Sequence, residues 1–370
     1  MGCYQKQIRL ARKASKVDIN KIIKLSQRGA GMVINVAING FGRIGRMVFR
    51  AAMNDRKINI VAINDLTDTK TLAHLLKYDS VHGVLDETIG HTENTITIGK
   101  QKIQVFAEKE PTKLPWRKLK IDVVVESTGR FTDPVKAADH LTAGAKRVVI
   151  SAPCKCEADK VCPTNTATLV YGVNHKKFNS KVHQIISNAS CTTNCVAPVL
   201  KVVEDTIGIK RCYFTTIHAY TASERVVDGP DKDLRRARAA AVNIIPTSTG
   251  ADVAAVEAIP ELQGKVRGLA FRVPIVDGSV TDFTIETEKD VTKEEINALF
   301  KKMATTLMNG IIQYTEDELV STDIIHNQYS AIFDAKLTEV VDRRILKIVA
   351  WYDNEWGYSC RMVDIIKLVG

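Results

Sequence analysis

Several things are scarce in this chain of 370 residues, and each scarcity narrows the reading. No apolar run approaches the ~18–20 residues of a membrane-spanning helix, although 45% of the chain is hydrophobic. No internal repeat and no low-complexity segment is visible, which sets aside solenoids and extended linkers. The eight cysteines (Cys3, Cys154, Cys156, Cys162, Cys191, Cys195, Cys212 and Cys360) are too sparse for a disulfide framework. No secretory signal precedes them, so the expected setting is reducing and intracellular, with a cytoplasmic location. Acidic residues are nearly missing from residues 1–31, where Asp18 stands alone against eight Lys and Arg. Most of the formal net charge of +10 therefore sits on that tail. The remaining body is close to balanced, and nucleic acid is not an expected partner of it.

The tail itself reads as a basic amphipathic helix ending at Gly29 and Gly31. Three roles compete for it: an organellar targeting presequence, a surface helix for membrane or nucleic acid, and a dispensable extension ahead of Met32. Lipidation after Met-Gly-Cys is disfavoured, because Lys6 stands where a Ser or Thr is wanted.

From Met32 onward, short β-branched runs ("VINVAING", "INIVAIND", "KIQVFAE", "IDVVVEST", "KRVVISA") alternate with helical segments. That alternation predicts βαβ units and a parallel, doubly wound sheet. Beyond about residue 212 the strands lengthen and crowd together ("CYFTTIHAYT", "VRGLAFRVPI", "SVTDFTIETEKD", "RILKIVAWYDN"). These predict an α+β region with a large, mostly antiparallel sheet.

"INGFGRIG" sets Gly40, Gly42 and Gly45 as G-x-G-x-x-G between a strand and a helix. The first glycine permits a tight turn, the second a close approach of backbone to a pyrophosphate, and the third helix-on-strand packing. Asp65 follows at the end of the next strand, where a carboxylate accepts hydrogen bonds from ribose hydroxyls and repels a 2′-phosphate. The pattern therefore points to a Rossmann-type domain and to NAD rather than NADP.

"SNASCTTNC" places Cys191 and Cys195 four residues apart. A disulfide, half of a zinc site and a single nucleophile are the three readings. No Cys or His pair nearby completes a zinc set, so no metal site is expected. Thr192, Thr193 and Asn194 look like the first turn of a helix, whose positive end favours the Cys191 thiolate. Cys195 would then lie one turn inside and pack as a small apolar residue. His218, in the strand-like "FTTIHAYT", is the candidate base.

Six segments in order ("INGFGRIGR", "LAHLLKYDSVHG", "VVVESTGRF", "SNASCTTNC", "DLRRARAAAVNIIPTSTGA" and "WYDNEWGYS") resemble the phosphorylating, NAD-dependent glyceraldehyde-3-phosphate dehydrogenase family, from Met32 to Gly370. The resemblance implies Cys191 as the nucleophile that passes through hemithioacetal and thioester, and His218 as its general base. It implies substrate and inorganic phosphate sites built from Ser190, Thr192, Thr221, Arg235, Thr249, Gly250 and Arg272. For the cofactor it implies the glycine loop with Arg43 and Ile44, Asp65, Lys109, Ser151 and Asn354. It further implies an NAD-binding domain over 32–190, joined by a C-terminal helix within 355–370, a catalytic domain over 191–354, and a homotetramer whose subunit contacts lie near residues 220–241.

The chain departs from that pattern at three places. Lys109 stands where Arg is common. Ile275, Val276 and Asp277 replace a usual Thr-Pro-Asn. A longer connection between "ISAP" and "YGVN" carries Cys154, Cys156 and Cys162, either a metal or redox loop or, the favoured reading, a surface insertion without a role. Two rival functions remain: erythrose-4-phosphate dehydrogenase within the same fold, and RNA or membrane binding through the tail.

Overall fold

The computed structural model describes residues 33–156 and 162–370. The proposed tail helix lies outside the described residues. Two sheets organise the rest. The first has nine strands: β1 (Ile34–Asn39), β2 (Ile58–Asn64), β3 (Ile89–Thr92), β4 (Thr95–Ile98), β5 (Gln101–Phe106), β6 (Val123–Glu126), β7 (Arg147–Ile150), β8 (Thr166–Thr168) and β9 (Ile185–Ser187). Their order is β3-β4-β5-β2-β1-β6-β7-β9-β8, parallel except at the β3-β4-β5 edge. Helices α1 (Arg43–Ala52) and α2 (Thr69–Lys77) belong to this half. The central strands are buried on both faces, as continuous runs such as "VVVE" require of a sheet covered by helices.

Helix α3 (Cys191–Thr206) leads into the second sheet, built from β10 (Ile209–Ala219), β11 (Ile245–Thr247), β12 (Val266–Val273), β13 (Ser279–Thr287), β14 (Ile312–Thr315), β15 (Ala331–Asp334), β16 (Glu339–Val341) and β17 (Ile345–Tyr352). Its order is β11-β12-β10-β13-β17-β15-β14, with β16 on β17. Two pairs are parallel, β10 with β12 and β14 with β15, and the others antiparallel. Helices α4 (Ala251–Ala258) and α5 (Lys293–Thr305) complete it. The final helix, α6 (Trp356–Val369), returns to pack on α1, with Met362, Ile365 and Ile366 in one core with Val48 and Phe49. Both expected sheet types are present.

The β1–α1 turn depends on two glycines. Gly40 has φ +88°, and a Cβ there would lie 2.6 Å from the Thr128 backbone nitrogen. A Cβ on Gly45 would lie 2.2 Å from the Gly40 carbonyl oxygen, so helix and strand touch backbone to backbone. Gly40→Ala combines left-handed strain with overpacking, and we expect it to destabilise the protein by about 2–4 kcal/mol. Chemical denaturation checks this; an unchanged midpoint would mean that the turn relaxes freely.

Candidate active site

The first element of the site is a cleft of about 260 Å³ over the ends of β1 and β2, lined by Gly40, Gly42, Asp65, Lys109 and Thr128 among others. Asp65 is held there by two backbone donors: the Phe41 N–H at 2.7 Å and the Thr67 N–H at 2.9 Å. A Cβ on Gly42 would meet nothing within 4 Å, so the backbone at the head of α1 is open to the cleft. An open glycine backbone, a helix N-terminus and a fixed carboxylate fit a dinucleotide's pyrophosphate and ribose. Ile44 is half-buried on α1. Ser151 follows β7, and Asn354 precedes α6 with its Oδ1 accepting from Ser279 Oγ at 2.6 Å.

Arg43 differs from a simple cofactor ligand, because its guanidinium is spent on the carboxylates of Asp79 and Glu355. Burial would raise the Asp79 carboxyl, but the His82 and Val81 N–H groups and Arg43 prevail and lower it to about 2. A group with a lowered folded-state pKa stabilises above its unfolded value of about 4 and loses that contribution as pH falls toward 2. Asp79→Asn is therefore expected to lower stability by about 1–2 kcal/mol at pH 7, after discounting for solvent screening. The gap between variant and wild type should narrow from about pH 4 and close at about pH 2. Denaturant titrations across that range check it; a pH-independent gap would show that the charge is irrelevant.

The second element is the head of α3. Ser190 caps the helix, its Oγ accepting from the Thr193 N–H at 3.0 Å. Asn194 Nδ2 donates to the carbonyls of Asn188 and Ser190, fixing the approach. Just before the cap, Ala189 takes φ +53°, a strained conformation for a side-chain-bearing residue, and its carbonyl accepts from the Tyr358 hydroxyl at 3.0 Å. This arrangement puts Cys191 at the first position of the helix.

β10 presents His218 to that thiol. Cys191 Sγ lies 3.3 Å from His218 Nε2. Two groups meet Nδ1, the Ala219 carbonyl at 2.7 Å as an acceptor and the Arg272 guanidinium as a donor; the Nδ1–H tautomer, which the carbonyl favours, is the one that leaves Nε2 to accept the thiol proton. The β10–β12 register sets Arg272 opposite His218, and the guanidinium contacts the same imidazole edge. Burial first, and then Arg272, lowers the His218 pKa to about 3. Burial pushes the Cys191 thiol up, while Arg272 and the Thr192 N–H pull it back. Both shifts favour the neutral thiol and the neutral imidazole, with 3.3 Å between the sulfur and the nitrogen that would take its proton. Cys195 is fully buried one turn on, and desolvation keeps its thiol protonated.

Sequence reasoning missed three members of this neighbourhood. Tyr352 packs edge-on against the His218 ring, and its hydroxyl bridges Thr192 Oγ1 (2.9 Å) and Thr216 Oγ1 (2.7 Å). Glu224, with a wholly buried side chain, sits 3.5 Å from Arg272 Nε and 3.8 Å from Arg236 Nε. It also accepts from the Thr221 N–H at 2.9 Å. Arg236, rather than Arg235, is thus the member of the pair that shares Glu224 with Arg272; Arg235 is exposed. The "RR" doublet gave no means of choosing between them. Thr249 and Gly250 stand at the start of α4, where Gly250 is the capping residue.

The inserted connection also differs from expectation. Cys156 and Cys162 form a disulfide, with Cα atoms 5.5 Å apart, around five residues outside the described set. Cys154 remains a free thiol, and burial raises it to about 12. A short Cys-x5-Cys loop closes such a bridge without any wider framework.

Comparison with known proteins decides the family. The description "Glyceraldehyde 3-phosphate dehydrogenase, NAD binding domain" matches residues 34–134, and "Glyceraldehyde 3-phosphate dehydrogenase, C-terminal domain" matches residues 190–354. The chain belongs to the glyceraldehyde-3-phosphate dehydrogenase family. It is similar to glyceraldehyde-3-phosphate dehydrogenase of Geobacillus stearothermophilus, 52% identical over 338 residues that cover 91% of this chain and 98% of that one. It is also 51% identical to glyceraldehyde-3-phosphate dehydrogenase 2 of Streptomyces avermitilis, over 92% of this chain and 99% of the relative. The same identity and coverage hold for the enzyme of Mycobacterium avium. The chain is an NAD-dependent dehydrogenase of this family, and none of its described helices is long and apolar enough to cross a membrane.

Proposed function

We propose that this cleft oxidises D-glyceraldehyde 3-phosphate and phosphorylates the product, giving 1,3-bisphosphoglycerate, with Cys191 as nucleophile and His218 as base. The observation that carries the reading is the 3.3 Å thiol–imidazole pair at a helix N-terminus, beside the Arg272 guanidinium. Residues 32–190 with 355–370 hold the cofactor, and 191–354 supply the chemistry.

Cys191 Sγ adds to the aldehyde carbon while His218 Nε2 takes the thiol proton, forming a hemithioacetal. His218 returns that proton to the former aldehyde oxygen, which becomes the hemithioacetal hydroxyl, and takes it back as the C–H bond breaks with its electron pair leaving as hydride, so that a thioester remains on Sγ and the imidazole stays protonated. The glycine loop and Asp65 would hold NAD, which would supply the hydride acceptor. A phosphate oxygen attacks the thioester carbon, the C–S bond breaks, and the sulfur recovers its proton through His218. Arg272 offers a permanently charged, planar donor to phosphate oxygens, with Arg236 sharing its buried partner Glu224. Ser190, Thr192, Thr221, Thr249 and Gly250 supply neutral donors around these cations.

A homotetramer is part of the same proposal. The segment after β10 exposes Val226 (86%), Val227 (73%) and Leu234 (81%), and Val242 and Ile244 follow in the same state. An apolar stretch of that kind is the composition of a subunit contact. The cytoplasm is the proposed location, with a targeting role for residues 1–31 as the alternative.

The test is NADH formation from NAD with the triose phosphate, with and without inorganic phosphate, and with erythrose 4-phosphate in parallel. Sustained, phosphate-dependent turnover that prefers the triose supports the proposal. Preference for the tetrose would move the chain to the rival reaction.

A further inference from the structure

Three side chains from segments distant in sequence converge beside the pocket that Glu355 shares with Thr221 and Glu224. His82 follows α2, Asp277 precedes β13, and Glu355 stands at the head of α6. His82 Nε2 lies 3.1 Å from Glu355 Oε2 and 3.7 Å from Asp277 Oδ2. One ligand atom from each of the three falls within 4.8 Å of the others. Three such ligands on a divalent ion at ~2.0–2.2 Å would sit ~3–3.5 Å apart, so the cluster needs only a small contraction.

Asp277 is the informative member. Its side chain is wholly buried, and neither carboxylate oxygen has a hydrogen-bond partner among the described residues. Its sole ion-pair partner among them is His82. Burial, then the neighbouring Asp353 and Glu355 carboxylates, hold it far above the ordinary carboxylate range. Asp353 is the competing partner: its oxygens accept from the N–H groups of His326, Glu355 and Trp356, and a proton shared with Asp277 is the alternative to a cation. No nearby cation among the described residues pairs with Asp277: Arg43 binds Asp79 and the cluster's own Glu355, Arg46 the Phe41 carbonyl, and Arg50 the carbonyls of Leu76 and Gly83. A buried carboxyl that faces an imidazole and makes no hydrogen bond within 3.5 Å takes up either a cation or a proton.

We propose that His82, Asp277 and Glu355 bind a divalent metal cation that braces the cofactor half against the catalytic half. The surrounding contacts suit that role. His82 Nδ1 lies 3.4 Å from His326 Nδ1, so the ring proton displaced from Nε2 has an acceptor on the far side. His326 stacks on Trp356 at 3.8 Å, which fixes that second imidazole. Arg43 holds Glu355 at both oxygens, Nε on Oε1 at 2.8 Å and Nη2 on Oε2, so Oε2 meets the ion with its remaining lone pair on the His82 side. One imidazole with two carboxylates selects an intermediate divalent ion such as Mn²⁺ or Zn²⁺.

The experiment uses Mn²⁺, which the thiols of Cys191 and the inserted loop bind poorly. Full-length protein loaded with NAD is titrated with Mn²⁺, and free ion is counted by its aqueous EPR signal. The expected result is one tightly held Mn²⁺ per chain, weakened by at least about tenfold in both Asp277→Asn and His82→Gln. The thermal midpoint should rise with Mn²⁺ in wild type and not in Asp277→Asn, with circular dichroism in EDTA showing both folded. Binding that is absent, or equal in wild type and Asp277→Asn, would overturn the proposal. So would an Asp277→Asn protein as stable without metal as wild type is with it, because a proton shared between Asp277 and Asp353 would then explain the buried carboxylate.

Discussion

Cys191→Ser abolishes turnover, by at least about 10⁴-fold, while NAD still binds. A serine hydroxyl at the head of α3 keeps the shape but loses the acidity and polarisability on which hemithioacetal and thioester depend. Cys191 does not line the glycine-loop cleft, so the groups that hold pyrophosphate and ribose are untouched and cofactor affinity should stay within about twofold. Cys195→Ser is the matched control. That sulfur is 0% exposed, 4.0 Å from the Ala350 carbonyl, and faces no base. Burying a hydroxyl there costs about 1–2 kcal/mol of stability and leaves turnover per folded molecule unchanged. Initial rates and isothermal titration with NAD separate the two outcomes. Equal loss in both variants would break the assignment of a single nucleophile.

His218→Asn lowers kcat by about 10²–10⁴-fold, the range for removing a positioned acid–base group. Asparagine preserves a polar side chain beside Ala219 but offers no basic nitrogen 3.3 Å from the sulfur. A second readout ties the loss to proton transfer. Alkylation of Cys191 by iodoacetamide at neutral pH should slow in the variant, because burial raises the thiol and the imidazole is its proton acceptor. A kcat within about tenfold of wild type, or an unchanged alkylation rate, would assign the base to another group.

How much of this was legible in the sequence follows from the range over which each feature is specified. The glycine loop and Asp65 are local: a strand, a turn and a helix encode them within one βαβ unit, and they appear together on one cleft. The two sheet types were likewise readable, from strand spacing. The head of α3 was readable because Ser190 and Asn194 are its own capping residues. Non-local features were not. The approach of Arg272 to His218 is set by the register of β10 on β12, which no single segment contains. Arg236 and Arg235 are adjacent and identical, so only the turn that directs one toward Glu224 distinguishes them. The pairing of Cys156 with Cys162 needed the loop's course, and the convergence of His82, Asp277 and Glu355 needed both sheets in place.

The central claim is that carbon is held on one sulfur until phosphate removes it. Enzyme mixed with NAD and glyceraldehyde 3-phosphate in phosphate-free buffer, quenched in acid and examined by peptide mass spectrometry, tests this directly. The account predicts an acyl adduct on the peptide containing Cys191, on Cys191 itself, formed with one NADH per site and discharged when phosphate is added. An adduct on Cys195, or NADH formed steadily with no adduct and no need for phosphate, would contradict it.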